Sequence, residues 1–271
     1  MNEISLIHQK IQSLPDIDFS DPHTFIALPF PSPLRIPERF FVPFDDDDSD
    51  DNNNHYNNNN HNSNDGNKTT VRMFQYMGRH LFLNLWNKVQ KPRFLKGLQD
   101  LYLYGPPGTG KSHLLAALVL HLIWKGKRVV YIANCHFLLI SPKVHIQRAL
   151  LFAFHNDLAS CNEILHARDM DGLLRFVRNQ VAYSLYIVID HSSALDLDGR
   201  ADKDYQQKVT AWQAINELRA FQRFIFSAPA DQQLHHESEQ KRNSIKTIFF
   251  CAGLSKVCPH LFNYLVSCSA G

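Results

Sequence analysis

Gly105, Pro106, Pro107, Gly108, Thr109, Gly110, Lys111 and Ser112 follow one another in the pattern G-x-x-x-x-G-K-[ST]. Such a stretch can hold an anion. Glycines at 105, 108 and 110 let successive backbone N–H groups turn inward, and a helix starting at Lys111 would add the positive end of its dipole. Lys111 would then bridge the β- and γ-phosphates of a nucleoside triphosphate, and the Ser112 hydroxyl would coordinate magnesium. His113 follows on the same turn and completes the segment expected to contact the nucleotide. A chance match to the four constrained positions arises in about one chain in a hundred of this length. The bland alternative is a glycine turn that happens to precede Lys-Ser, and the apolar run before it and helical pattern after it count against that.

A phosphate loop of this kind needs a carboxylate behind the magnesium, at the end of a buried strand near the loop. Asp190 closes the apolar run Leu185, Tyr186, Ile187, Val188, Ile189 and is the Walker B candidate, the alternative being an ordinary strand-capping Asp. With Ser112 it makes up the expected magnesium ligands. His191 follows where many ATPases of the additional-strand class carry a catalytic Glu. An imidazole accepts a proton near neutral pH, so His191 could polarise the attacking water, sense the γ-phosphate, or simply face solvent. Asp196 and Asp198 could supply the missing carboxylate. Ser227 ends the apolar run Phe224, Ile225, Phe226 and is expected to contact the γ-phosphate or the water from a strand lying between the loop strand and the Asp190 strand. Asp231 is the second choice there, and a Ser that merely terminates a strand is the alternative. Arg200, Arg223 and Arg242 are in-chain candidates for an arginine finger, which a protein partner or a second copy could equally supply.

These residues need a scaffold, and the hydrophobic pattern describes one. Strands are predicted at 98–104, 128–132, 185–190, 223–227 and 246–250. Helices are predicted at 71–89, 111–125, 143–155, 170–183 and 203–221, with a short one from 255. Apolar strands alternating with helices imply a mainly parallel sheet sandwiched by helices, here the five-stranded P-loop NTPase sheet of the additional-strand class. Ahead of it, residues 1–44 read as an arm with an amphipathic helix placing Ile4, Ile7 and Ile11 on one side. Residues 45–67 read as a disordered Asp/Asn-rich linker, whose His55 and His61 are ascribed to low complexity, and 68–271 as the NTPase domain.

Composition bounds the rest. Of 271 residues, 44% are apolar, enough for a real core. The formal charge of +2 conceals seven Asp within 45–66. Without them 28 basic side chains face 19 acidic ones, a net of +9, which could favour nucleic acid, although no dense basic run is present. There is no membrane-length apolar run and no secretory start. Five scattered cysteines fit reduced thiols. A soluble protein of cytoplasm or nucleus is expected, without a membrane partner.

The runs LYLYGPPGTGKSHLLAALVLHL, GKRVVYIANC, LLFAF, LYIVIDHSSAL, RFIFSAPAD and IFFCAGLS, in this order, resemble the P-loop ATPase module of Crinkler-type proteins over roughly residues 70–266. The resemblance implies an AAA+-like signal-transduction ATPase using ATP and Mg2+, with Lys111, Ser112 and Asp190 at the nucleotide site. It also implies an effector that reaches a host cell, frequently its nucleus. Family members commonly carry Asp-Gln at 190–191 and a Ser-Ala-Ser-Ala-Asn-like run at 227–231, and both departures here lie beside the expected γ-phosphate. The chain stops at Gly271, so no C-terminal effector domain is expected, and the usual translocation header is not recognisable. Two other functions fit the motifs: a DNA-handling ATPase similar to helicase loaders, and a nucleotide-dependent switch that binds without hydrolysing. No motif separates ATP from GTP, and ATP is chosen by analogy.

Overall fold

The computed structural model describes residues 2–21, 25–29, 41–42, 73–91, 99–180, 185–190, 192–195, 204–219, 222–229 and 245–251. The 45–67 tract therefore lies outside the described residues, as do the helix expected from 255, His191, Asp196, Asp198, Arg200, Asp231 and Arg242.

Five strands form the main sheet: β4 (Gln99–Gly105), β5 (Val129–Ile132), β6 (Tyr186–Ile189), β7 (Arg223–Pro229) and β8 (Ile245–Phe250). Their order is β5-β6-β7-β4-β8 and every pairing is parallel. Parallel strands must be covered on both faces, and the pleat sends alternate residues into two separate cores. Leu101, Leu103, Val129, Tyr131, Tyr186, Val188 and Ile225 face one core. Their neighbours Tyr102, Tyr104, Val130, Ile132, Ile187, Ile189, Phe224 and Phe226 face the other.

Helix α3 (Lys111–Trp124) follows β4 and forms the centre of the first core. Its residues Leu114–Ile123 are all buried, the mark of a helix covered all round. Against it lie α1 (Asn2–Gln12), through Ile7 and Ile11, and α2 (His80–Val89), through Phe82, Leu85 and Val89. The second core is covered by α4 (His136–Ile140), α5 (Pro142–Ala153), α6 (Leu158–His166), α7 (Met170–Asn179) and α8 (Tyr205–Arg219). Asp157 and Asp169 cap α6 and α7 by accepting from Ser160 N and Gly172 N. Among the described residues no helix is long and apolar enough to cross a membrane.

A second, antiparallel sheet pairs β1 (Phe25–Pro29) and β2 (Phe41–Val42) with β3 (Met73–Met77) between them. This corrects the single helix expected over 71–89: among its described residues Met73–Met77 is strand and His80–Val89 is helix. Met-Phe-Gln-Tyr-Met fits either period, and pairing with β1 and β2 decides for strand. Gly78 then passes so close to the Asp21 carbonyl that a Cβ would not fit. The helix α1 and the Phe19 ring, both from the segment read as an arm, are packed in the first core. Helices α4 and α6 and the strands β1 and β2 have no counterpart in the sequence expectation.

Candidate functional site

The segment 105–113 joins the carboxyl end of β4 to the amino end of α3, on the sheet edge where open α/β folds hold ligands. Gly105 is buried, Pro106, Pro107 and Gly108 are exposed, and Thr109 is buried. Gly108 and Gly110 have φ of 78° and 79°, a left-handed backbone that favours glycine. Gly105 has an ordinary φ but no room, since a Cβ would stand 2.5 Å from the Cys251 carbonyl oxygen. The chain leaving β8 is fastened there, with Cys251 N donating to Tyr104 O at 2.6 Å.

Lys111 folds back over the loop, its Nζ donating to Gly105 O at 2.6 Å and Pro106 O at 3.0 Å. Thr109 Oγ1 donates to Pro106 O at 2.9 Å and braces the turn from inside. Arg79, at the start of α2, donates through Nη1 to Thr109 O at 3.1 Å, and its guanidinium occupies the space beside Gly110 where a Cβ would stand. Burial raises the Cys251 thiol to about 11, while the nearby Lys111 and Arg79 cations pull it down. Two positive side chains therefore converge at the root of the loop. Ser112 and His113 follow on the first turn of α3, both half-buried.

Strand β7 does lie between β4 and β6. Register sets Ile189 beside Phe226, and Leu103 beside Ser227, so Asp190 and Ser227 arrive together at the carboxyl edge. Asp190 is 2% exposed and Ser227 3%. The Ser227 hydroxyl donates to Asp190 Oδ1, and the Ser192 hydroxyl donates to Ser227 O at 2.6 Å. Asp190 N donates to Ile132 O at 2.9 Å, which fastens the carboxylate to β5 as well. Around it, burial and then the Asp190 charge push Tyr131 and the Cys135 thiol well above their ordinary values, so both stay neutral.

Of the arginine candidates, only Arg223 can be placed. It begins β7, beside Tyr186, and its guanidinium lies 4.8 Å from that ring. Four residues of strand, about 13 Å, separate it from Ser227, so Arg223 stands at the opposite edge from the loop. It is not an in-chain finger. Arg79 and Cys251 were missed by sequence reasoning. Gly78 inside an otherwise helical pattern was the signal of a break in the helix just before Arg79.

Among the described residues no three His, Cys, Asp or Glu side chains stand together as a metal cluster. One buried carboxylate and one serine hydroxyl nevertheless suit magnesium, which takes few protein oxygens and completes its shell with phosphate and water. The residues present fit that ion.

The fold and site together define a three-layer α/β protein with a parallel sheet and a glycine loop at its carboxyl edge. No family model matches the chain, and no curated protein does. Among solved structures it is similar to a DNA replication initiation factor, with a TM-score of 0.36 and 15% identity. The match covers 68% of this chain and 55% of that one, little more than half its length.

Proposed function

We propose that this protein binds ATP with magnesium at residues 105–113 and hydrolyses it slowly, as a P-loop ATPase of the additional-strand class. The observation that carries the proposal is the Ser227–Asp190 hydrogen bond at the strand ends beside the glycine loop. Register brings the two side chains together, and the edge on which they meet is the one that carries the glycine loop, where a γ-phosphate site needs a buried carboxylate and a hydroxyl. Backbone N–H groups of the loop and the start of α3 would hold the phosphates, Lys111 would move from the loop carbonyls onto them, and Ser112 and Asp190 would hold magnesium. The ion, when bound, offsets phosphate charge. Ser227 would orient Asp190 or the attacking water. His191 is proposed as the group that polarises that water, in place of a carboxylate, which is why turnover should be slow. The order of the motifs supports a Crinkler-like module, with the arginine supplied by a second copy or a partner.

Calorimetric titration of ATP, with and without magnesium, tests binding. Lys111→Ala should abolish it, and an unchanged affinity would remove the phosphate-loop assignment. Phosphate release should fall at least tenfold in Asp190→Asn and rise in His191→Glu. Binding without any release, even at high protein concentration, would replace the ATPase with a nucleotide-dependent switch.

A further inference from the structure

Arg79 faces two ways. Its backbone N–H donates to Phe19 O at 3.1 Å, and the Tyr76 hydroxyl reaches the same carbonyl at 3.2 Å. The Phe19 ring is buried against Phe82 and His121, at 5.2 Å from each, and Gly78 is pressed onto Asp21. The stretch after α1 is thus clasped to the corner between β3 and α2. The Arg79 side chain runs the other way, to Thr109 O and the open face of Gly110. In a planar trans peptide the C=O and the following N–H point in opposite directions. Holding the Thr109 carbonyl therefore turns the Gly110 N–H away from the Arg79 guanidinium.

We propose that Arg79 is a positioning residue through which docking of the N-terminal segment, Ile4 to Asp21, sets the affinity of the loop for nucleotide. The inference rests on the nucleotide-binding function proposed above. With α1 seated, the Phe19 carbonyl holds the Arg79 backbone and the guanidinium holds the Thr109–Gly110 peptide in its binding orientation. With α1 displaced, the nucleotide must order that peptide itself and binds more weakly. Coupling of this kind is reciprocal, so nucleotide strengthens the seating of α1 by the same factor.

The test uses the full chain, ADP with magnesium, and calorimetry. Ile11→Asp places a charge in the core at a fully buried position of α1, and Phe19→Ala removes the second anchor with less damage. Each is expected to weaken ADP binding about fivefold to tenfold, and Arg79→Ala about tenfold. Phe19→Ala combined with Arg79→Ala should be no weaker than Arg79→Ala alone, because both break one connection, and Arg79→Lys should recover part of the loss. Hydrogen exchange supplies the reciprocal readout: ADP should increase protection of the α1 amides in the wild type and not in Arg79→Ala. Losses that multiply in the double variant, or an undocked α1 with wild-type ADP affinity, would overturn the coupling and leave the nucleotide site standing. A wild-type chain that binds no ADP would overturn the coupling, and one that binds neither ADP nor ATP would overturn both.

Discussion

Gly110 combines a φ of 79° with a guanidinium packed where its side chain would begin. Gly110→Ala should therefore cost about 1–2 kcal/mol from the left-handed backbone alone, before Arg79 is displaced. Chemical denaturation would measure that cost, and nucleotide titration of the same variant should show binding lost. Ser227 is a different case, since its backbone is unremarkable and its hydroxyl is engaged. Ser227→Ala removes a donor from the buried Asp190 and should lower stability by about 1–3 kcal/mol at pH 7, with turnover down tenfold or more. Unfolding in urea would check the first expectation and a phosphate-release assay the second. At this scale the glycine loop was legible because its chemistry is local, all within eight consecutive residues. Ser227 and Asp190 were also expected at the ends of neighbouring strands, the order that the sheet shows, but the hydrogen bond between them spans 37 positions and was not itself read from the sequence. Arg79 was illegible for the same reason: its partner lies 30 residues away.

Apolar runs such as Val129–Ile132 and Tyr186–Ile189 were readable as strands because both their faces are buried, so nothing but apolar residues serves. The 73–77 stretch failed because five residues cannot distinguish a period of 2 from one of 3.6 when apolar side chains occupy most positions. Helices α4 and α6 were missed since they are short, five and nine residues, with exposed Ile140, Leu158 and Leu165 breaking the polar face. Helix α3 makes the opposite demand. Leu118 is fully buried in it, whereas Leu83 on α2 is 50% exposed. Leu118→Ala should cost about 3 kcal/mol, and Leu83→Ala less than about 0.5 kcal/mol, as urea unfolding midpoints would show.

Two buried histidines couple the whole molecule to pH. His121 sits among Phe19, Phe82, Trp86 and Trp124, and its ring nitrogens find no partner among the described residues; burial, aided by Lys125, lowers it to about 4. His8 stacks on His155 at 3.6 Å, and burial, then that neighbour's charge, lowers it to about 3. The unfolded chain takes up these protons first, near pH 6.5, so the unfolded state binds more of them below that point. Stability is therefore full above about pH 6.5 and falls through the window down to about pH 4 for His121 and pH 3 for His8. The expected loss is about 1 kcal/mol per pH unit for each histidine. Denaturation at pH 7 and pH 5 should show it, and His121→Leu should flatten part of the slope. His8 is itself part of α1, packed on Phe152, and His121 packs on the Phe19 ring, so acid should loosen that layer first.

The placement of β4 also bears on how the chain is made. Its two neighbours are β7 and β8, with Leu101 beside Ile225 and Gln99 beside Ile245, each well over a hundred positions downstream. During synthesis the loop strand leaves the ribosome long before either partner, and α3, apolar all round, emerges with it and has no sheet to cover. A nascent chain arrested before Phe224 should consequently be held by chaperones, and release should come only once β7 has been translated.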